Sequence, residues 1–224
     1  PGRIEDVAVA AGNVVARGAN LPASQAKQCV DAAGRWLIPG MLDIHTHLDL
    51  EVEVAPALDE VVRHGTTTVL VGNCSLGTCF GSQETNGQEP IVDCFTRVEN
   101  IPKSVLRKCA QAMTWDNPED YLAHFNNLNL GPNIAAFVPH SMLRIEVMGL
   151  DASISRAPTE SELQKMEQIL EGAMQLGYLG LSTDGLPFHY LSNDPHTDKR
   201  IPTQVASFSE LRRLLKAVIK YDRV

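Results

Sequence analysis

From about residue 37 onward, apolar positions fall into continuous runs and runs spaced three or four apart, and the two kinds alternate. "WLIPGMLDIHTHLDL" is extended and mostly apolar. "PALDEVVRHG" follows, with Leu58, Val61 and Val62 on one helical face and Gly65 at the position of a C′ glycine. "TTTVLVGNC" is β-branched and nearly unbroken, the pattern of a strand covered on both faces. Together they predict one strand–helix–strand unit. A further helix opens at Asn117-Pro118, an N-cap with proline in the first turn, and carries Tyr121, Leu122 and Phe125. "NIAAFVPH" is the third strand. Thr159 and Glu162 spell a capping box ahead of the stripe Leu163, Met166, Ile169, Leu170, Ala173 and Met174, and Gly177 closes that helix. "YLGLST" is the fourth strand. Ser207 and Glu210 spell a second capping box, followed by Leu211, Leu214, Leu215, Val218 and Ile219, with Lys216, Lys220 and Arg223 toward the helix C-terminus.

The preceding residues differ in kind. "EDVAVAAGNVVARGA" and "QCVDAAGRWLIPG" are short β-like runs broken by glycine, with Gly12-Asn13 as a turn signal, so residues 1–38 read as a small β segment. Residues 39–224 read as four β/α units, which argues for a parallel sheet, either open and doubly wound or part of a (β/α)₈ barrel. No G-x-G-x-x-G or P-loop follows the first strand, which weakens a nucleotide-binding open sheet. A barrel needs about 250 residues, so four units make half of one. Half a barrel leaves two unpaired sheet edges, so the expectation is a fragment completed by the remaining half of the parent protein.

Composition narrows the field without choosing within it. The chain has 224 residues, of which 44% are hydrophobic and 21% charged, enough to bury a core. A net charge of −8 gives no basic footprint for nucleic acid or an anionic membrane. No apolar run reaches the roughly 18 residues that span a bilayer, and "PGRIEDVAVAAG" has no signal-peptide character, so the expectation is a cytoplasmic protein without membrane or nucleic-acid partners. Five cysteines with no C-x-x-C pair argue against a disulfide scaffold or zinc knuckle.

Chemistry enters at "MLDIHTHLDL". Alternation along a strand puts His45 and His47 on one face with Cα atoms roughly 6.6 Å apart, close enough for both imidazoles to meet one metal or a metal pair. The C-terminal end of a barrel strand is where active sites are built. The competing reading has one histidine hydrogen-bonded in the core and the other capping a turn.

"IPGMLDIHTHLD" resembles the metal-dependent amidohydrolase superfamily, whose first barrel strand ends in H-x-H after a small β-sandwich segment. "GTTTVLVGNCS", "NIAAFVPHSMLRIEVMG" and "GYLGLST" resemble, in order, the second, third and fourth strands of the D-aminoacylase (N-acyl-D-amino-acid deacylase) family, with a looser fit from Leu76 to Met113. The implied fold is α/β: the first half of a metal-dependent hydrolase (β/α)₈ barrel with part of an N-terminal β-sandwich. The implied activity is zinc-dependent cleavage of the amide bond of N-acyl-D-amino acids or similar small molecules, with one or two zinc ions.

In that family the cysteine after Gly-Asn is a metal ligand, which carries to Cys74; Cys79, Cys94 and Cys109 lie outside the motif and read as small buried hydrophobes. "YLGLSTDGLPFHY" lacks the lysine that bridges metals in many amidohydrolases, in agreement with a cysteine-type site. His140 and Arg144 match the family's H-x-x-L-R positions, implying an oxyanion or orienting role for His140 and carboxylate pairing for Arg144, with a hydrogen-bonded structural role as the alternative for each. Ser182 and Thr183 end the fourth strand and are candidates to line the pocket or, equally, to form a turn. Pro139 and Ser75 stand where relatives carry glycine. His189 and His196 read as solvated loop histidines, and Asp49 as a supporting or structural carboxylate. The family's proton-transferring aspartate follows strand eight and further histidine ligands follow strands five and six, all beyond Val224. Two alternatives are a cyclic-amide hydrolase of the dihydroorotase or hydantoinase kind, against which Cys74 argues, and a non-catalytic assembly module, against which the retained ligands argue.

Overall fold

The computed structural model describes residues 2–224. The chain divides into two compact units, Pro1–Pro39 and Gly40–Val224.

In the first unit β1 (Asp6–Ala10) and β2 (Asn13–Gly18) form an antiparallel hairpin. The turn residues Ala11 and Gly12 both have positive φ, 47° and 76°, the hand that matches the twist of a two-residue hairpin. The expected β-run in "QCVDAAGRWLIPG" does not form: within this unit, residues 28–39 carry no strand.

In the second unit β3 (Met41–Asp43), β4 (Thr66–Val71) and β5 (Asn133–Ala136) make a parallel sheet in that order. The third run breaks at Phe137, whose N–H still bonds Val71 O at 3.0 Å, and resumes as β6 (Val138–Pro139), which pairs in parallel with β7 (Leu181–Ser182). Four parallel runs therefore lie in chain order, with helices between them, a mixed α/β arrangement. The β-branched run of β4 buries Val69 and Val71 completely, as expected of a strand covered on both faces.

The helices whose ends are written in local sequence form where expected. Asn117 Oδ1 accepts from Glu119 N and Asp120 N at 3.1 and 3.0 Å and starts α5 (Pro118–Phe125). Thr159 and Glu162 make both capping-box bonds at the start of α8 (Glu160–Leu176), and Gly177, at φ 104°, ends it. Those helices bury the apolar stripes named above, with Met166, Leu170, Ala173 and Met174 inside. At α9 (Phe208–Ile219) only half of the second box is made. Ser207 Oγ accepts from Glu210 N at 3.2 Å, but the Glu210 carboxylate turns inward instead of back to the cap.

The first strand is shorter than its apolar run suggests. After Asp43 the chain turns into α1 (Glu51–Val54) and α2 (Asp59–Arg63), because β3 has a ladder partner on one side only and side-chain bonds take over beyond it. Thr46 Oγ1 donates to Leu70 O at 2.6 Å and Asn73 Nδ2 to the same carbonyl at 2.9 Å, fastening the turn to the end of β4. Between Leu76 and Met113, where the pattern predicts no element, lie α3 (Pro90–Val98) and α4 (Lys103–Ala112). His140 does not end a strand; it begins α6 (His140–Met148), followed by α7 (Leu150–Ser153).

Candidate metal centre

The turns that follow β3 and β4 bring three donors together. His45 Nε2 lies 3.2 Å from Cys74 Sγ, and the His45 and His47 rings meet edge-on with centroids 5.4 Å apart. One ligand atom from each of His45, His47 and Cys74 falls within 4.8 Å of the others, and no other such group occurs among the described residues. The two histidines are presented by the turn after β3 rather than by the strand itself, so strand alternation is not what pairs them.

Backbone geometry aims the thiol. Cys74 and Ser75 occupy consecutive left-handed conformations, φ 50° and 62°, which a non-glycine chain holds only when its surroundings fix it. Ser75 N donates to Ser182 Oγ at 3.2 Å, Ser75 Oγ shares a 2.8 Å bond with Ser141 Oγ, and Ser182 Oγ donates to Gly72 O. Gly72, at φ 78°, lies so close to the next strand that a Cβ there would stand 2.6 Å from Phe137 O. Its N–H donates to Asp49 Oδ1 at 2.9 Å, which fixes Asp49 as a buried structural carboxylate beneath the turn.

The charge states suit a cation. Burial, then the neighbouring His45 and His189, push the His47 pKa down to about 4 against the opposing pull of Asp184, so its imidazole is neutral and has a lone pair to give. Burial, then Asp184 and Glu99, push the Cys74 thiol up to about 11, so a metal would have to displace its proton. Neither ring nitrogen of His47 has a hydrogen-bond partner among the described residues, although Nδ1 is fully buried. Two imidazoles and a thiol are a donor set that zinc fits.

Three more residues crowd this cluster, and no motif announces them. Glu99, just past α3, has Oε1 3.3 Å from His47 Nδ1. Asp184 Oδ2 accepts from His189 Nδ1 at 2.6 Å, while Asp184 Oδ1 accepts from Leu186 N and Gln204 Nε2 at 2.7 and 3.0 Å. His47 feels the charge of both side chains of that pair, His189 lowering and Asp184 raising its pKa.

Other expected site residues lie elsewhere. Arg144 is wholly buried: Nη1 donates to both Glu210 oxygens, Nε and Nη2 to Ser153 O, and Nη2 also to Arg156 O. With its donors committed inside the protein it is not free to meet a substrate carboxylate. His140 is equally buried, Nδ1 on Thr203 Oγ1 at 2.8 Å and Nε2 on Glu210 Oε1 at 3.1 Å, so it belongs to the same internal network. The oxygen of Ser182 ties β7 to the Gly72–Ser75 turn. His189 and His196 are not solvated: each is under a tenth exposed, and His196 Nε2 bonds Asp151 Oδ1 at 2.9 Å. Cys79, Cys94 and Cys109 are buried away from the cluster. Among the described residues no helix is long and apolar enough to cross a membrane.

Comparison with known proteins places this parallel α/β unit and its cluster of two histidines and a cysteine in a family. The model of the amidohydrolase family matches residues 28–220, so the chain belongs to the amidohydrolase family. It is 40% identical over 200 residues to an uncharacterized protein of Mycobacterium tuberculosis, covering 88% of this chain and 32% of that one. It is 30% identical over 183 residues to the N-acyl-D-aspartate deacylase of Alcaligenes xylosoxydans xylosoxydans, covering 82% of this chain and 33% of that one. The crystal structure of the N-acyl-D-glutamate deacylase of Bordetella bronchiseptica, complexed with zinc and a phosphonate mimic of the tetrahedral intermediate, superposes with a TM-score of 0.76 at 28% identity over 100% of this chain and 40% of that one. The chain thus spans about a third of the length of the curated relatives it matches.

Proposed function

We propose that the full-length protein is a zinc-dependent amidohydrolase that cleaves the amide bond of N-acyl-D-amino acids, and that His45, His47 and Cys74 are ligands of its one or two zinc ions. The observation that carries this reading is the three-donor cluster, with Cys74 held in a strained left-handed turn where the thiol meets His45. Relatives named as deacylases of N-acyl-D-aspartate and N-acyl-D-glutamate support the substrate class.

Zinc bound there supplies Lewis acidity toward an amide carbonyl and a nucleophile at neutral pH. The chain's own residues do the positioning. The Ser75, Ser141 and Ser182 bonds fix the turn that carries Cys74, and the Thr46 and Asn73 bonds fix the turn that carries the histidines, so the three donors keep their spacing without substrate. The partial β/α architecture fits half of a barrel with the site at its strand ends. A thiol in the donor set favours this reading over a lysine-bridged cyclic-amide hydrolase. The buried network of Arg144 leaves the substrate carboxylate to some other cation.

Metal analysis of the purified full-length protein tests the assignment. Wild type is expected to hold zinc, and Cys74→Ser to lose most of it while keeping the fold. Wild-type zinc content in the serine variant would remove Cys74 from the ligands, and no zinc in either protein would sink the metal reading.

A further inference from the structure

We propose that Glu99 is the positioning residue for His47: its carboxylate takes the His47 Nδ1 proton, fixes the ring, and leaves Nε2 as the nitrogen that binds metal. The proposal rests on the reading of His45, His47 and Cys74 as a zinc site and adds a residue that no motif contains.

Two unpartnered groups of complementary chemistry face each other here. His47 Nδ1 is buried and has no hydrogen bond, and Glu99 Oε1 lies 3.3 Å from it, with the two side chains 20% and 18% exposed. Glu99 has no other hydrogen bond or ion pair among the described residues. Its placement is firm because Glu99 N closes the end of α3 on Phe95 O at 2.9 Å. A helix end therefore delivers a carboxylate to the back of an imidazole whose neighbours are the candidate ligands. Other charged groups near the pair do not compete for Nδ1: Asp184 is saturated by Leu186 N, Gln204 Nε2 and His189 Nδ1, and His45 is engaged with Cys74.

A carboxylate on the second nitrogen of a ligating histidine sets the tautomer and orients the ring, and its removal lowers metal affinity about 10- to 100-fold. A carboxylate of purely structural use would do neither.

The test is zinc affinity of the full-length protein by competition with a chromophoric chelator, in wild type, Glu99→Gln, Glu99→Asp, His47→Ala and the double variant His47→Ala/Glu99→Gln. Expected is a 10- to 100-fold weaker affinity in Glu99→Gln, partial recovery in Glu99→Asp, and an unchanged thermal midpoint of the zinc-free protein. The discriminating result is non-additivity: once His47 is alanine, Glu99→Gln should change affinity less than twofold. Unchanged affinity in Glu99→Gln, or equal losses with and without His47, would overturn the proposal while leaving the zinc site standing. If Glu99→Gln does not fold, Glu99→Asp with and without His47 carries the same comparison. A wild-type protein that binds no zinc would end both this proposal and the functional reading.

Discussion

Replacing Glu210 should unfold this protein far more readily than replacing any candidate ligand. The carboxylate is 3% exposed and holds two wholly buried groups, Arg144 and His140. Glu210→Ala leaves the guanidinium as an uncompensated internal charge, a loss that typically costs about 3–5 kcal/mol. Arg144 keeps its bonds to the carbonyls of Ser153 and Arg156, which soften that charge and point to the lower half of the range. His140 loses the partner of Nε2, and a buried polar atom left unpaired adds about 1–3 kcal/mol. The expected loss is therefore about 4–7 kcal/mol, a large part of the roughly 5–15 kcal/mol that keeps a domain folded.

Urea unfolding of the full-length protein at neutral pH, followed by circular dichroism, measures it. Because the cost comes from the orphaned charge rather than the missing bond, Arg144→Met/Glu210→Met should be less destabilised than Glu210→Ala alone. Zinc content should follow mainly the folded fraction, since the network holds no candidate ligand and reaches the Cys74 turn only through Thr203 and Ser141. A Glu210→Ala loss under about 1 kcal/mol, or a double variant worse than the single one, would refute the argument that buried charge dominates here.

Acid should destabilise the same network. Burial pushes Glu210 up, but its bonds to His140 and Arg144 outweigh it and the net shift is below 4.5, so its contribution is present above 4.5 and lost as pH falls through the folded value. Burial holds His140 below 6.5, so the unfolded chain takes its proton first and stability drops as pH falls under 6.5. Asp49 opposes this trend in the zinc-free protein. Burial, against bonds from the backbone at Asp49 and Gly72, raises its pKa from 3.8 to about 7, so its contribution is full below 3.8 and is lost as pH rises through 7. Asp49→Asn should flatten that segment of the urea-midpoint profile between pH 4 and 7, and an unchanged slope there would show Asp49 to be ionised. Gly72→Ala should cost about 1–3 kcal/mol for its left-handed backbone alone, and more for the contact with Phe137 O. A urea midpoint within error of wild type would mean that the turn after β4 relaxes freely.

What the sequence revealed and what it concealed divide along the range of the interactions. Asn117, Thr159, Glu162 and Gly177 act on backbone within four residues, so their roles can be read from neighbours alone. His45, His47 and Cys74 are legible for a related reason: each sits at the end of an apolar run, and parallel runs end on the same side. The structural role of Arg144 is not legible locally because the partner that claims it, Glu210, stands 66 residues further on and reads in its own neighbourhood as part of a cap. The half-made box at Ser207 is the trace of that conflict: a glutamate wanted by both a helix start and a buried guanidinium goes to the charge, where leaving it unpaired costs more. His189 reads as solvated from the polar loop around it, yet Asp184, pinned by Gln204 from beyond the loop, draws it inside. Glu99 stands just past α3, an amphipathic helix in the stretch to which no element is assigned from sequence, and its proximity to His47 depends on where α3 ends in space. Local pattern thus locates candidate donors at neighbouring strand ends, whereas the carboxylates beside them, Glu99 and Asp184, arrive from a helix end and a loop whose positions only the folded chain defines.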